Sequence, residues 1–547
     1  MKMPAADAAT DLALASPRAP ARGDWLALAA LMTIALSLRL AFYTGFFGSD
    51  ELTYVASAFK LLDGDWEVSS YVGSNRYGVN LPLAALAFLF GRHELVANAY
   101  SLLCSLAEIA LVFHFGRKLL GLRTAVLGTL VLALLPLHAH YAGRLMADAP
   151  LALMISASFL FFWSGEREKD SPSFAIAGLA AGFSFWIKPH AIIYLAVFAV
   201  YPLLYRRWDR RWLAMIGACG LMIAANCLLF RFLSGDFLFL VEAMRARHTG
   251  FDRAAAAAAD PFHVSAGYYP VYLLARVYHT WIAFHLALAA LFLWWLRRRQ
   301  LATGYDAAMR FLLWWAAGLM IVFSLFVASW NPLVLIPKQP NYMLIFVAPL
   351  ALLAGCAIAH ARGAPLCILL LVVAGPSLLL TAMQQSLIHV FTANSKAAVE
   401  FARQHPDAEV YGNTNAVRAS HFSRLLQPHA AAGEVRPVGE VLTAAHEPPG
   451  NAAATPAATR YAVIDTETLN WAGDEPLRDI GEVPACWIRE GVLQPSADGL
   501  GPRLMRQLAA FAALLPATLG QRVRQALHPL THPRPAYVYR IPEHGCD

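Results

Sequence analysis

Charged residues are scarce in this chain. Of its 547 residues, 14% are Asp, Glu, Lys or Arg and 58% are hydrophobic. Water-soluble domains carry about 25% charged and about 45–50% apolar residues, so the composition excludes a soluble globular protein. Metal-type cysteine spacings, internal repeats and charged low-complexity tracts are also missing. Cys104, Cys219, Cys227, Cys356 and Cys367 fall in apolar runs, where a small apolar role is the default. The net charge of +7 does not point to nucleic acid, because the basic residues sit in short clusters between apolar blocks. That placement reports membrane topology.

The apolar blocks run to about 18–25 residues, the length that crosses about 30 Å of hydrocarbon as helix. Candidate spans are Trp25–Phe47, Leu95–Phe115, Arg123–Tyr141, Ala149–Trp163, Phe174–Ile187, Ala191–Tyr205, Trp212–Phe232, Tyr269–Leu296, Phe311–Trp330, Tyr342–Ala361 and Pro365–Met383. The expected fold over residues 24–383 is an all-α polytopic membrane domain of about eleven transmembrane helices. Residues 1–23, rich in Ala and Pro, read as a disordered cytoplasmic N-terminus. The first apolar run is too long for a cleavable signal and lacks a small-residue cleavage site, so it reads as a start-transfer helix.

With the N-terminus inside, the even gaps between spans should be basic. They hold Arg117, Lys118 and Arg123; Arg167 and Lys169; Arg206, Arg207, Arg210 and Arg211; Arg297, Arg298 and Arg299; and Arg362. The odd gaps then face outward, and so does the tail, residues 384–547, expected to be a small extracytoplasmic α/β domain. In it Asn394–His405 reads as a helix, Glu409–Gly412, Tyr461–Asp465 and Ala536–Ile541 as strands, and Glu447–Ala458 as a loop. Arg506–Leu527 reads as an amphipathic helix, lying on the membrane or packed on that domain. The composition favours a multi-pass protein of a bacterial inner membrane with a periplasmic C-terminus. Cys486 and Cys546, both in the exported and oxidising tail, are expected to pair.

Polar residues collect on the outward side. Loop 48–94 opens with Gly48-Ser49-Asp50-Glu51-Leu52-Thr53-Tyr54 and later holds Gly64-Asp65-Trp66 and Arg76. Adjacent carboxylates at a membrane surface suit an enzyme that takes a proton from an arriving substrate, although an ordinary helix-ending loop also carries acids. The third span ends in His138-Ala139-His140, followed by Arg144 and Asp148; the fifth ends in Lys188, and the ninth-to-tenth turn holds Lys338 and Tyr342. Cations converging at this depth suit a lipid phosphate, against snorkelling as the plain alternative for each one. His138 and His140 could line the cavity or bind metal. No cofactor is otherwise implied, and a divalent metal stays open.

The order of these motifs resembles a family. Asp50-Glu51-x-x-Tyr54, then Gly64-Asp65-Trp66, Arg144 with Asp148-Ala149-Pro150, and Lys338-x-Pro340-x-Tyr342 look like the protein O-mannosyltransferase and aminoarabinose transferase superfamily (glycosyltransferase family 39-like). These are C-type integral-membrane glycosyltransferases. The resemblance covers most of Trp25–Met383 and implies transfer of a sugar from a polyprenyl-phosphate donor to an acceptor hydroxyl on a lipid, glycan or protein at the outer face. On it Asp50 matches the catalytic base, with Glu51 positioning Asp50 or a sugar hydroxyl. Lys338 and Tyr342 match residues near the carrier phosphate, Arg144 and Asp148 shape the cavity wall, and Tyr54, Arg76 and Lys188 join the substrate-binding set. Inversion at the anomeric carbon would follow, since phosphate leaves without a strong general acid.

One departure stands out. Many bacterial relatives carry a Glu-Lys-Pro-Pro-like segment where this chain has Tyr77-Gly78-Val79-Asn80-Leu81-Pro82, which removes a carrier-phosphate lysine and leaves the sugar open. Arg76 could compensate. The competing class is a transporter or flippase for a lipid-linked or polar substrate, which would also place charges at membrane depth. Against it, the halves show no repeat and the charges crowd one face.

Overall fold

The computed structural model describes residues 21–206, 208–249, 260–427, 433–444, 459–469 and 475–542. The chain divides into two compact units. One comprises Met1–Ala41, Gly64–Leu83 and Asn98–Thr381, and the other Phe42–Asp63, Ala84–Ala97 and Ala382–Asp547.

The helices in chain order are α1 (Arg22–Ala41), α2 (Asp50–Leu62), α3 (Tyr77–Phe90), α4 (Glu94–Leu120), α5 (Leu122–Leu134), α6 (Pro136–Ala142), α7 (Asp148–Glu168), α8 (Ser171–Ile187), α9 (Leu195–Tyr205) and α10 (Trp212–Ser234). There follow α11 (Phe239–Thr249), α12 (Tyr268–Ala275), α13 (Ala283–Arg297), α14 (Thr303–Leu325), α15 (Leu344–Ala359) and α16 (Ala364–Gln404). Among the described residues seven helices are long and apolar enough to cross a membrane, or eight if the α5–α6 pair, bent by 60°, is one span. The protein is a multi-pass, helical membrane protein.

The difference from the expected eleven spans has identifiable causes. Ser171–Ile187 and Pro189–Tyr205 are apolar but short, and so is Tyr77–Phe90, a helix in the stretch expected as outward loop 48–94. The run Tyr269–Leu296 is broken between α12 and α13, where the Tyr272 hydroxyl meets His279 Nδ1 at 2.5 Å and the His279 carbonyl accepts from Leu137 N–H at 2.9 Å. The run expected to end at Trp330 stops as helix at Leu325 and continues as a hairpin of β1 (Val327–Trp330) and β2 (Leu333–Leu335). Pro332 in its turn cannot extend a helix.

In the first unit the helices approach closely where side chains are small. A Cβ on Gly355 of α15 would stand 2.5 Å from the Gly128 backbone nitrogen of α5, and one on Gly178 of α8 would meet the Met215 carbonyl of α10. Such contacts supply the van der Waals packing that holds helices together in lipid. Aromatic rings fill the wider gaps, with Phe159 stacked on Trp315 at 5.2 Å.

In the second unit a five-stranded sheet has the order β4 (Val435–Pro437), β3 (Glu409–Gly412), β5 (Arg460–Asp465), β7 (Ala536–Ile541), β6 (Ile488–Leu493). The β4–β3–β5 pairs are parallel and the pairs made by β7 antiparallel. Its core includes Tyr411, Ala462, Ile464, Trp487 and Ile541. The end of α16 is tied to β5 by Asn394 Nδ2, which donates to Asp465 Oδ1 at 2.7 Å. Helices α17 (Thr414–Leu426), α18 (Gly439–Ala444), α19 (Leu500–Phe511) and α20 (Ala517–Leu527) complete it. The helix expected over Arg506–Leu527 is therefore two helices, separated before Pro516. The expected loop Glu447–Ala458 lies outside the described residues.

Candidate active site

Asp148 is the first residue of α7, where the helix N-terminus favours a carboxylate. It is 2% exposed. The Lys188 ammonium donates to its Oδ1 at 2.6 Å, and Asn341 Nδ2 donates to the same oxygen at 3.1 Å. Lys188 arrives as the extended residue that ends α8, a conformation enforced by Pro189 behind it. Asn341 and Tyr342 sit in the single turn Pro340–Met343 that opens α15. The Lys188 ammonium lies 4.9 Å above the Tyr342 ring, in cation–π range. The Arg144 guanidinium stacks over Tyr141 at 5.8 Å, and Ser101 of α4 pins the Arg144–Asp148 turn by donating to the Met146 carbonyl at 3.1 Å.

Three residues from separate sequence stretches thus meet in one cluster, Asp148 and Lys188 buried and Tyr342 half-buried. Asn341 completes it and was not among the expected site residues, because an uncharged amide at a helix start carries little signal. Asp148 Oδ2 and His140 Nδ1 are buried here without a hydrogen-bond partner among the described residues.

Lys338 lies in the extended segment before that turn and is wholly buried. Its backbone N–H donates to the His263 carbonyl at 2.9 Å, and its ammonium to the Ile336 carbonyl at 3.1 Å. Removal from water pushes that ammonium down to about 8. An ammonium has three donors, so this one retains capacity for an anion. Arg76 is also buried; it ends the short turn Val72–Asn75, and its carbonyl accepts the N–H groups of Val79 and Asn80 at the start of α3.

The acidic pair belongs to the second unit, and its two carboxylates differ. Both lie in the first turn of α2. Glu51 is 3% exposed and folds back: its Oε1 accepts from Phe47 N–H at 2.6 Å and Gly48 N–H at 3.0 Å, and its Oε2 from Ser49 N–H at 3.2 Å. Asp50 is half-buried, with Oδ2 3.4 Å from the Tyr54 hydroxyl.

The loop before them is held along its length. Gln385 Nε2 donates to the Tyr43 carbonyl at 2.7 Å, Phe46 N–H to Glu94 Oε1 at 3.0 Å, and Arg418 Nη1 to the Gly48 carbonyl at 2.8 Å. Phe46 stacks on Phe422 at 4.5 Å and Phe47 on Phe391 at 4.8 Å. Gly48 has φ +101, and any Cβ there would strike the Asn415 amide, so the turn requires glycine. Beside this loop opens a pocket of about 320 Å³ lined by Phe46, Arg92, Glu94, Lys396, Arg403 and Phe422, among others.

Among the described residues no group of three or more His, Cys, Asp or Glu side chains is placed to hold a metal ion. His138 is engaged inside the first unit, its Nδ1 2.5 Å from Arg39 Nη2 and its Nε2 3.1 Å from Glu108 Oε2. Cys486 is disulfide-bonded and the five cysteines of the apolar segments are free; Cys546, the expected partner, lies outside the described residues.

Comparison with known proteins bears on the whole arrangement. Residues 78–230 match the family model described as dolichyl-phosphate-mannose-protein mannosyltransferase. The fold is similar to that of ArnT from Cupriavidus metallidurans bound to undecaprenyl phosphate, with TM-score 0.56 and 16% identity over 82% of this chain and 94% of that one. It is also similar to the archaeal oligosaccharyltransferase AglB from Archaeoglobus fulgidus in complex with an inhibitory peptide and a dolichol-phosphate, with TM-score 0.50 and 12% identity over 95% of this chain and 88% of that one. No curated protein gives a significant match by sequence. The chain therefore shares its fold with these two membrane proteins and matches the mannosyltransferase family model over residues 78–230.

Proposed function

We propose that this protein transfers a sugar from a polyprenyl-phosphate donor to an acceptor hydroxyl at the outer face of the membrane, with inversion. The observation that carries the reading is the buried Lys338 ammonium, with donor capacity left for a phosphate whose chain stays in lipid, together with the Lys188–Asp148–Asn341–Tyr342 cluster. The sugar-transferring relatives, whose structures hold undecaprenyl phosphate or dolichol-phosphate, support the same donor class.

In the reaction Asp50 accepts the proton of the acceptor hydroxyl. The acceptor oxygen then bonds to the anomeric carbon from the face opposite the phosphate. The bond from that carbon to the phosphate oxygen breaks, and the departing phosphate keeps the electron pair. Cations suffice to stabilise that developing charge, so no second carboxyl is required. Lys338 is the group best suited to this, since Lys188 is already neutralised by Asp148. Glu51 serves by locking the Phe47–Ser49 backbone, which leaves Asp50 alone to face the substrate. Tyr54 orients Asp50, and Arg76 and Arg144 add positive potential.

Purified protein supplied with polyprenyl-phosphate sugars and candidate acceptors tests this directly. Asp50→Asn should lower transfer by about 10²–10⁴-fold, the usual contribution of a positioned base, while leaving thermal unfolding unchanged. Full transfer by Asp50→Asn would remove the base from the mechanism. Passage of substrate into vesicles with no donor consumed would favour a transporter instead.

A further inference from the structure

We infer that α19 and α20 form an interfacial hairpin that lies on the bilayer surface and binds anionic lipid headgroups. The apolar side of the hairpin is turned outward. Leu500, Leu504, Leu508 and Phe511 recur at helical spacing, and Phe511, Leu514 and Leu519 are 65%, 81% and 50% exposed. The residues that pack inward are small or few: Gly501, Pro502, Met505 and Ala512. Water does not stabilise such a surface, and contiguous exposed apolar residues mark a contact with lipid or another protein.

Charge separates these two. From Gly499 to Pro542 the chain has no acidic residue, while Arg503, Arg522 and Arg524 are exposed along the pair. A second copy would bring the same cations against one another in a two-fold contact. An anionic lipid surface complements them, and arginine stems can lie along the apolar side while their guanidinium groups reach the headgroups.

The depth of the hairpin follows from its anchor. α16 is apolar from Pro365 to Met383 and turns polar at Gln384 and Gln385. α19 is fastened at that transition: Gly501 N–H donates to Gln385 Oε1 at 2.6 Å, and a Cβ on Gly501 would strike the Ala382 carbonyl. Ser386 in turn donates to the Leu530 carbonyl just past α20. The end of an apolar spanning stretch marks the hydrocarbon boundary, so the hairpin lies at headgroup depth. This inference does not depend on the transferase reading and can fail separately from it.

The test uses the full chain in nanodiscs of one part phosphatidylglycerol to three parts phosphatidylcholine. A photo-crosslinking benzoylphenylalanine replaces Phe511 or Leu514, with lipid-facing control Phe232, which is 83% exposed, and aqueous control Gln404. Mass spectrometry of the adducts should show phospholipid at 511 and 514, as at 232. Phosphatidylglycerol should exceed its mole fraction about threefold, and Arg503→Gln with Arg522→Gln and Arg524→Gln should remove that excess. Lipid adducts at 232 with none at 511 and 514 would overturn the inference. So would adducts to a second copy of the chain, and an adduct without lipid preference would overturn its anionic part.

Discussion

Two buried charged clusters in the first unit have opposite character. In one, Arg39 is 1% exposed and fully engaged: Nε donates to Ser105 Oγ at 2.8 Å, Nη1 to the Ala35 carbonyl at 3.0 Å and the Ala133 carbonyl at 3.3 Å, and Nη2 to His138 Nδ1. His138 Nε2–H donates to Glu108 Oε2 at 3.1 Å, and Ser156 donates to the other Glu108 oxygen at 2.6 Å. The pattern assigns the His138 tautomer through its partners. In the other, the Lys188–Asp148–Asn341–Tyr342 cluster, Asp148 Oδ2 is left over; elsewhere in the unit His140 Nδ1 is left over too, and the Lys338 ammonium holds one carbonyl. A saturated network binds α1, α4, α6 and α7 to one another. An unsaturated one, at the same burial, has room in its bonding for a ligand.

That contrast sets an order of expected effects. Glu108→Ala should be the most damaging to folding, by about 3–5 kcal/mol, because it strands a buried guanidinium. Replacing Arg39 and Glu108 together by Met should recover most of that loss, as read by thermal unfolding in detergent. If the double variant is no better than Glu108→Ala, the network is not held by charge.

Lys338→Met should instead spare stability and lower transfer by about 10²–10³-fold, the usual effect of losing a donor to a developing oxyanion. Equal loss of stability would make Lys338 a structural residue like Arg39. Asp148→Ala should cost about 3 kcal/mol of stability, the low end for breaking a buried ion pair because the Tyr342 ring still faces the Lys188 ammonium, and added inorganic phosphate should restore part of it by binding beside Lys188. No restoration by phosphate would remove the anion-site reading of the cluster.

The smallest effect concerns pH. Burial holds the free Lys338 ammonium down to about 8, so it is charged below that pH and neutral above. Affinity for a polyprenyl phosphate should therefore weaken as pH rises through about 8, approaching tenfold per unit above it. The same dependence should be absent in Lys338→Met, and isothermal titration across pH 6.5–9.5 would check both.

Much of the site was legible because its residues stand at helix ends. Arg144, Asp148, Lys188, Lys338 and Tyr342 interrupt apolar runs, and a charge beside lipid stands out. Arg39 and Glu108 also lie inside apolar runs, where ionisable groups are expensive and need partners. Asn341 gave no comparable sign. The breaks in helices were less legible still. Nothing local distinguishes Arg276–Ile282 as a break, and it depends on Tyr272, His279 and Leu137 meeting across the bundle. Likewise Asp50 and Glu51 are chemically equivalent in sequence. Only the folded loop, which turns three N–H groups toward Glu51, tells them apart.

What the sequence determined by itself is the solvent of each segment, because transfer of apolar side chains from water scales with composition and needs no partner to be known. It therefore specified a multi-pass protein with polar groups gathered at helix ends. What only the tertiary structure decided is which polar groups are used up and which remain open. Hydrogen bonds are short and directional, and their satisfaction depends on residues as far apart as Asp148 and Asn341.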